Sequence, residues 1–205
     1  MMSPQVTTTF IPDPNSESSY IEVEDIEIEQ SQYRVAQGPP FTAGPCIEFN
    51  GEELRGVSLK DAFSSSFRKG DLQSTKMADG RTESAISSNT NKIIIRILWQ
   101  GCQPFEFSIG VEEMAQGVPK RINKANLAHK VAKTVRRFYY GPNGYKKDAT
   151  WDQFPGRTPN QVPFEQLVLV RLDHVSQGSY QPVLVQRTTK TIEFLDMNHS
   201  WAAVS

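Results

Sequence analysis

The sequence predicts an α+β domain, in which an antiparallel sheet of two or more hairpins packs on one long amphipathic helix. Residues 119–140 have helical periodicity, and two pairs of β-rich segments are each joined by a turn. The first 44 residues are rich in Ser, Thr, Pro and Glu and poor in large apolar groups. We therefore expect a disordered acidic tail over residues 1–44, one domain over residues 45–198 and a frayed C-terminus over residues 199–205.

The length, net charge, cysteine count and hydropathy of the chain limit the classes of protein to which it can belong. The 205 residues carry a formal net charge of -1, which argues against a wholly basic nucleic-acid-binding protein. Two cysteines cannot form a disulfide framework and favour a reduced, intracellular setting, cytoplasmic or nuclear. No apolar stretch reaches the roughly 18 residues of a membrane span, and the first residues do not resemble a secretion signal.

Within the tail, residues 20–29 alternate apolar and acidic side chains, which is the period of a strand. Alone, this segment is expected to be disordered and to act as an acidic, solubilising tail. Given an exposed sheet edge or a basic groove, it could instead dock, on another protein or on the basic helix of its own chain.

The first elements of the domain are short. Residues 46–49 predict a strand that ends at an Asn-Gly turn. Ser58 is suited to cap a helix over residues 59–67, and the polar residues 70–91 predict a surface loop. Residues 92–99, KIIIRILW, form the strongest strand signal and are expected at the centre of the sheet, in a hairpin with residues 105–109.

The long helix is the clearest element. At 100° per residue, Leu127, Val131, Val135 and Phe138 fall on one arc, and the basic residues fall on the opposite arc. Asn123 is suited to the N-cap position. Gly141, expected in the left-handed conformation, and the following proline end the helix.

A loop and a second hairpin follow the helix. Residues 141–163 form a long loop whose aromatic side chains, Tyr145, Trp151 and Phe154, either pack on the domain as a lid or form a binding surface. Residues 166–175 and 180–187 predict a hairpin, with Pro182 at an edge or bulge. A last strand is expected over residues 191–195.

Residues 118–147 contain nine lysines and arginines and no acid. Such a run is either a solvated helix face or a patch for phosphate or an acidic peptide. The candidate partner-binding residues are the basic side chains on and just before the helix: Lys120, Arg121, Lys130, Lys133, Arg136 and Arg137.

No motif for catalysis, cofactor binding or metal binding is present in the sequence, so we expect no catalytic, cofactor or metal site. Asp173 and His174 are neighbours on a strand and should point to opposite faces, so His174 is expected to be a structural hydrogen-bonding residue. Cys102 lies in a turn, with nothing nearby in sequence to lower its pKa. An enzyme would require a concave pocket that gathers His174, Asp173, Cys102 or Glu113.

Four segments form a recognisable pattern: IRILWQG with QP at residues 95–104, LAHKVAK with RF at residues 127–138, LVLV at residues 167–170 and HVSQGSYQP at residues 174–182. This pattern resembles a family of small uncharacterised proteins from mushroom-forming (basidiomycete) fungi. It covers about residues 50–187 and departs from the family at Gln100, where Pro is expected, and at Tyr180, where Trp is expected. The resemblance implies a fungal, intracellular setting, and no function or site residues accompany it.

The sequence therefore favours a non-catalytic intracellular interaction module that binds an acidic partner through its basic helix. The alternative is a nucleic-acid-binding protein that uses the same helix with nearby side chains, namely Tyr140, Tyr145, Trp151 and Arg157. In a further alternative, the acidic tail covers the basic face of its own chain.

Overall fold

A computed structural model of the chain describes residues 5–16, 19–33, 41–64, 77–86, 91–153 and 158–193. An eight-stranded sheet, antiparallel apart from one short contact, curls into a half-barrel, with a 17-residue helix and a shorter helix. The predicted α+β class is therefore confirmed. No helix within the described ranges has the length and apolarity needed to cross a bilayer.

The described residues form ten strands and two α-helices. The strands are β1 Val6–Pro12, β2 Ser19–Glu27, β3 Ile47–Glu48, β4 Val57–Ser58, β5 Lys92–Ile97, β6 Phe105–Gly110, β7 Glu112–Ala115, β8 Val118–Arg121, β9 Leu167–Ser176 and β10 Ser179–Glu193. The helices are α1 Leu59–Ser64 and α2 Lys124–Tyr140, and two 3-10 turns lie at Trp151–Gln153 and Phe164–Gln166.

Strand β10 organises the sheet. Its first half pairs with β9 on one edge, and β5 and β2 share its other edge in succession. Pro182 lies where the neighbour changes from β5 to β2, so its missing N–H breaks no ladder there, and a bulge follows at Val183 and Leu184. β10 continues to Glu193, where the described residues end. The prediction of a separate strand over residues 191–195 is therefore wrong for residues 191–193.

The N-terminal segment is the main correction to the sequence prediction. Residues 5–16 and 19–33 are not a disordered tail, because β1 and β2 form an antiparallel hairpin and β2 pairs with β10 over nine residues. Val23 and Ile28 are buried as a result. The alternation of residues 20–29 did indicate a strand, but the strand docks on the sheet of its own chain and not on the basic helix.

Helix α2 agrees with the prediction in position and orientation. Asn123 caps it, since its side-chain oxygen accepts a 2.8 Å hydrogen bond from the Asn126 N–H. Gly141 ends it with φ -74°, so the predicted left-handed cap is wrong. Glycine is needed there for another reason, because a Cβ would lie 2.4 Å from the Arg137 carbonyl oxygen.

The core lies between α2 and the sheet. Leu127, Val131, Val135 and Phe138 have no exposed surface, so the apolar arc of the helix seals the concave side. Burying four such side chains contributes about 1.5–3 kcal/mol each. Phe138 anchors the C-terminal end of the helix in an aromatic cluster with the rings of Trp99, Phe105, Tyr139 and Tyr145.

Both predicted hairpins are present as β5–β6 and β9–β10, and β5 lies between β10 and β6. The hairpin β7–β8 was not predicted; its turn at Gln116 and Gly117 has positive φ at both residues. Ser58 caps α1 through a 3.3 Å hydrogen bond from the Asp61 N–H. The predicted elements over residues 65–76, 87–90 and 194–205 lie outside the described residues.

Candidate functional site on the exposed face of the long helix

The exposed side of α2 has no acidic residue over its whole length, Lys124–Tyr140. Three of its cations are exposed in the last two turns: Lys133, Arg136 and Arg137. We call these three residues the cationic face. It lies between two flanking elements, because Arg136 contacts α1 and Arg137 contacts β6.

Arg136 is held against aromatic rings. Its guanidinium carbon lies 4.4 Å from the centre of the Phe63 ring and 5.6 Å from the centre of the Tyr140 ring. A planar guanidinium over an aromatic face is attracted by the ring quadrupole and keeps its N–H edge available. The side chain is therefore ordered before any partner arrives.

Arg137 has a similar arrangement on the other flank. Its guanidinium carbon lies 4.5 Å from the centre of the Phe107 ring, which belongs to β6. In the part of the chain that the structure describes, no carboxylate forms an ion pair with Arg136, Arg137 or Lys133. The two arginines thus present guanidinium edges that no carboxylate of the described residues occupies.

The other three predicted residues differ in how far they are exposed and engaged. Lys120 is exposed on β8, and Arg121 lies 3.6 Å from the Glu112 carboxylate. Lys130 is half-buried and donates a 2.7 Å hydrogen bond to the Gly110 carbonyl. Burial lowers the pKa of Lys130, an effect that nearby Glu113 opposes and Lys133 reinforces.

Acids lie near both ends of the helix, with Asp79 and Glu113 at its N-terminal end and Glu165 near Tyr140 at its C-terminal end. Lys124 pairs with Asp79 at 2.5 Å, and Glu113 lies within 3.4 Å of the Asn126 side-chain nitrogen. Of the six predicted residues, Arg121 and Lys130 are therefore engaged by neighbouring groups, and Lys120, Lys133, Arg136 and Arg137 are exposed.

The aromatic partners of the two arginines were not recognised in the sequence. Phe63 falls in the helix predicted over residues 59–67 and Phe107 in the strand predicted over residues 105–109, and neither prediction links them to the basic residues. The link depends on α1 and β6 flanking α2, which is a tertiary arrangement. The aromatic residues that were expected beside the basic helix make other contacts. The rings of Tyr145 and Trp151 stack on each other with their centres 5.7 Å apart, and Lys147 lies 4.7 Å from the centre of the Trp151 ring.

The loop aromatics agree with the packed-lid interpretation for the residues described. Tyr145 and Trp151 are half-buried and pack on the main core, with Tyr145 against Phe138. Phe154 and Arg157, which were also considered at this surface, lie outside the described residues.

A separate cavity of about 430 Å³ lies across β9 and β10, bordered by residues 27–33 and 41–43. Its described lining includes Asp173 and His174 but neither Cys102 nor Glu113. The Asp173 carboxylate is engaged by Arg171, whose Nε and Nη2 lie 2.8 and 3.4 Å from its two oxygens. This contact raises the pKa of Arg171. Because Arg171 engages the Asp173 carboxylate, that carboxylate does not act as the partner of His174.

His174 is a buried, hydrogen-bonded residue. Its Nδ1 accepts a 3.0 Å hydrogen bond from the Gly44 N–H, and its ring stacks on Tyr180 at 4.7 Å with Phe41 edge-on at 4.8 Å. Nε2 is buried without a partner among the described residues. Burial lowers the pKa of His174 below its ordinary value near 6.5, which favours the neutral ring.

Cys102 is not arranged as a nucleophile. The side chain is buried, and burial, with a smaller effect of Asp148, raises the pKa of the Cys102 thiol to about 12. The thiolate is the nucleophilic form, so this environment suppresses its reactivity. The described ranges contain no group of three or more His, Cys, Asp or Glu side chains that could hold a metal ion.

Comparison of the chain with models of known protein families, with curated protein sequences and with solved structures finds no match. The resemblance to the fungal family therefore stays a prediction.

Proposed function

We propose that this protein is a non-catalytic interaction module that binds an acidic segment of a partner protein on its cationic face. The central observation is that Arg136 and Arg137 are exposed and lie over the rings of Phe63 and Phe107. A side chain that is already ordered loses less conformational entropy on binding, so more of the interaction energy contributes to affinity. A guanidinium edge also matches the geometry of a carboxylate, which it can bind through two parallel hydrogen bonds.

The same observation favours an acidic peptide over single-stranded nucleic acid. Binding of single strands relies on bases that stack on open aromatic faces. Phe63 and Phe107 each have a guanidinium over the ring, while Trp151 contacts Tyr145 and Lys147. The rings of Phe63 and Phe107 therefore serve to hold the arginines and offer little stacking surface, whereas the ring of Tyr140 is 58% exposed.

Fluorescence anisotropy with two labelled probes would test this proposal. One probe is a glutamate-rich peptide, and the other is a mixed-sequence single-stranded oligonucleotide. We expect the peptide to bind and its affinity to fall between about 50 mM and about 300 mM salt, because exposed charges are screened over a Debye length. The double variant Arg136→Gln/Arg137→Gln should weaken peptide binding by about tenfold, or about 1.4 kcal/mol.

The matched control removes the same charge elsewhere. Arg81→Gln/Lys190→Gln changes two exposed cations outside α2 and should alter the affinity for the peptide by less than about twofold. Equal loss of affinity in both double variants would show that net charge, and not the cationic face, drives binding. Tight binding of the oligonucleotide without the peptide would instead support the nucleic-acid alternative.

A further inference from the structure

The outer edge of β1 has backbone groups available for pairing. Gln5 O accepts a 3.2 Å hydrogen bond from Glu27 N–H, and Asp13 N–H donates a 3.2 Å hydrogen bond to Ser19 O. Residues on an antiparallel strand alternate between facing their neighbour and facing away, so the odd-numbered residues of β1 bond to β2. The N–H and C=O groups of Val6, Thr8 and Phe10 consequently point away from β2. No strand among the described residues pairs with that side of β1.

Apart from Pro12 at its end, β1 lacks the features that protect an edge strand from pairing. Residues 5–12 contain no charged side chain, and every residue of β1 except Ile11 is exposed. Val6 is 53% and Phe10 is 59% exposed. By contrast, the C-terminal half of β10 carries Arg187, Lys190 and Glu193, and charges of this kind normally discourage edge-to-edge pairing.

We infer that β1 is a homodimerisation strand, which pairs antiparallel with β1 of a second copy about a two-fold axis at Thr8. In this register Val6 lies opposite Phe10 of the second copy, and Thr8 lies opposite Thr8. Every outward N–H of both strands then meets an outward carbonyl, and apolar side chains face apolar side chains. A register shifted by two residues, with the axis at Thr9, would place Val6 opposite Pro12, which has no N–H to donate.

Charge also favours a second copy as the occupant. An antiparallel contact between identical strands places the residue on the two-fold axis opposite its own symmetry mate and brings the other residues of the strand close to one another, so a strand with like charges would repel itself. β1 is uncharged, whereas β2 behind it carries four acids, Glu22, Glu24, Asp25 and Glu27, and Glu29 follows it. The pairing joins the two sheets through their uncharged strands and keeps the acidic strands apart. The inference is independent of the cationic face, because it uses different residues.

Sedimentation velocity of the full chain over a range of concentrations would test the inference. Two seven-residue strands bury less surface than a standard interface of about 1,600 Å², so we expect a dimer that dissociates in the micromolar range. The variants Thr8→Lys and Thr8→Glu place like charges opposite each other at the two-fold axis. Each should raise the dissociation constant by about tenfold or more.

The decisive measurement is sedimentation velocity of an equimolar mixture of the two variants, because lysine and glutamate then face each other across the axis. We expect the mixture to recover the dimer, and recovery also shows that both variants are folded. Thr191→Lys, an exposed threonine of β10, is the control that should dimerise as the wild type does. A wild-type chain that stays monomeric, or dimers unaffected by Thr8→Lys, would overturn the inference.

Discussion

The Asp25 carboxylate accepts two hydrogen bonds, each 2.7 Å long, from the Nε and Nη2 atoms of Arg187. The two residues are 162 positions apart and lie opposite each other in the β2–β10 ladder. Their side chains are only 22% and 16% exposed. This contact fixes the N-terminal segment to the strand that organises the sheet.

Replacement of Asp25 by alanine should therefore destabilise the folded chain. The change leaves a largely buried guanidinium without its anion, so we expect the free energy of unfolding to fall by about 1.5–3 kcal/mol. Urea denaturation followed by circular dichroism measures this. Glu24→Ala, one position earlier on the other face of β2, should change the free energy by less than about 0.5 kcal/mol. Equal effects of the two variants would mean that β2 does not dock as described.

Removal of core volume from α2 should have a larger effect. Leu127 has no exposed surface, and Leu127→Ala should lower the free energy of unfolding by about 2–5 kcal/mol through lost burial and a residual cavity. The exposed Lys133 in the same helix provides the control, and Lys133→Ala should shift the free energy by less than about 0.5 kcal/mol. A small effect of Leu127→Ala would contradict the packing of α2 on the sheet.

Stability should also depend on the protonation of His174. Its pKa is lowered by burial in the folded chain, so the unfolded chain binds a proton at higher pH than the folded chain does. The contribution is fully present above a pH near 6.5 and is lost as the pH falls toward the folded pKa.

We therefore expect the wild-type Tm to fall between about pH 7.5 and about pH 5.5. The fall should be smaller in His174→Gln, whose neutral side chain can still accept from the Gly44 N–H. Differential scanning fluorimetry of both proteins measures the two slopes. Identical slopes would show that His174 does not titrate in a buried site.

The two cysteines should differ sharply in reactivity. Cys46 is exposed, whereas Cys102 is buried and has its pKa raised to about 12, so little thiolate is present at neutral pH. Limited labelling with a maleimide, read by peptide mass spectrometry, should modify Cys46 first. Both should label equally after denaturation in urea. Equal rates in the native chain would contradict the buried position of Cys102.

The elements with strong local signals could be predicted from the sequence. Helix α2 has a capping residue, a clean apolar arc and a glycine stop, and the two main hairpins combine apolar strands with turn residues. Each of these signals acts between residues close in the chain, so pattern alone was sufficient.

The rest depends on contacts between distant residues. β2 alternates correctly for a strand, but its acidic composition predicted disorder, because its partner β10 begins more than 150 residues later. The hairpin β7–β8 was missed because its strands have four residues each and its turn is Gln-Gly, a weaker signal than Asn-Gly. The predicted site residues included Arg136 and Arg137, yet their ordering by Phe63 and Phe107 arises only in the folded chain.

The most direct test of the proposed binding surface is nuclear magnetic resonance of the isotope-labelled full chain during titration with a glutamate-rich peptide. We predict that the largest shifts occur at Lys133, Arg136 and Arg137 and at the ring of Phe107. The guanidinium resonances should respond most, since those groups would meet the carboxylates. The account is contradicted if the largest shifts lie at β1 or around His174, or if saturating peptide leaves the cationic face unchanged.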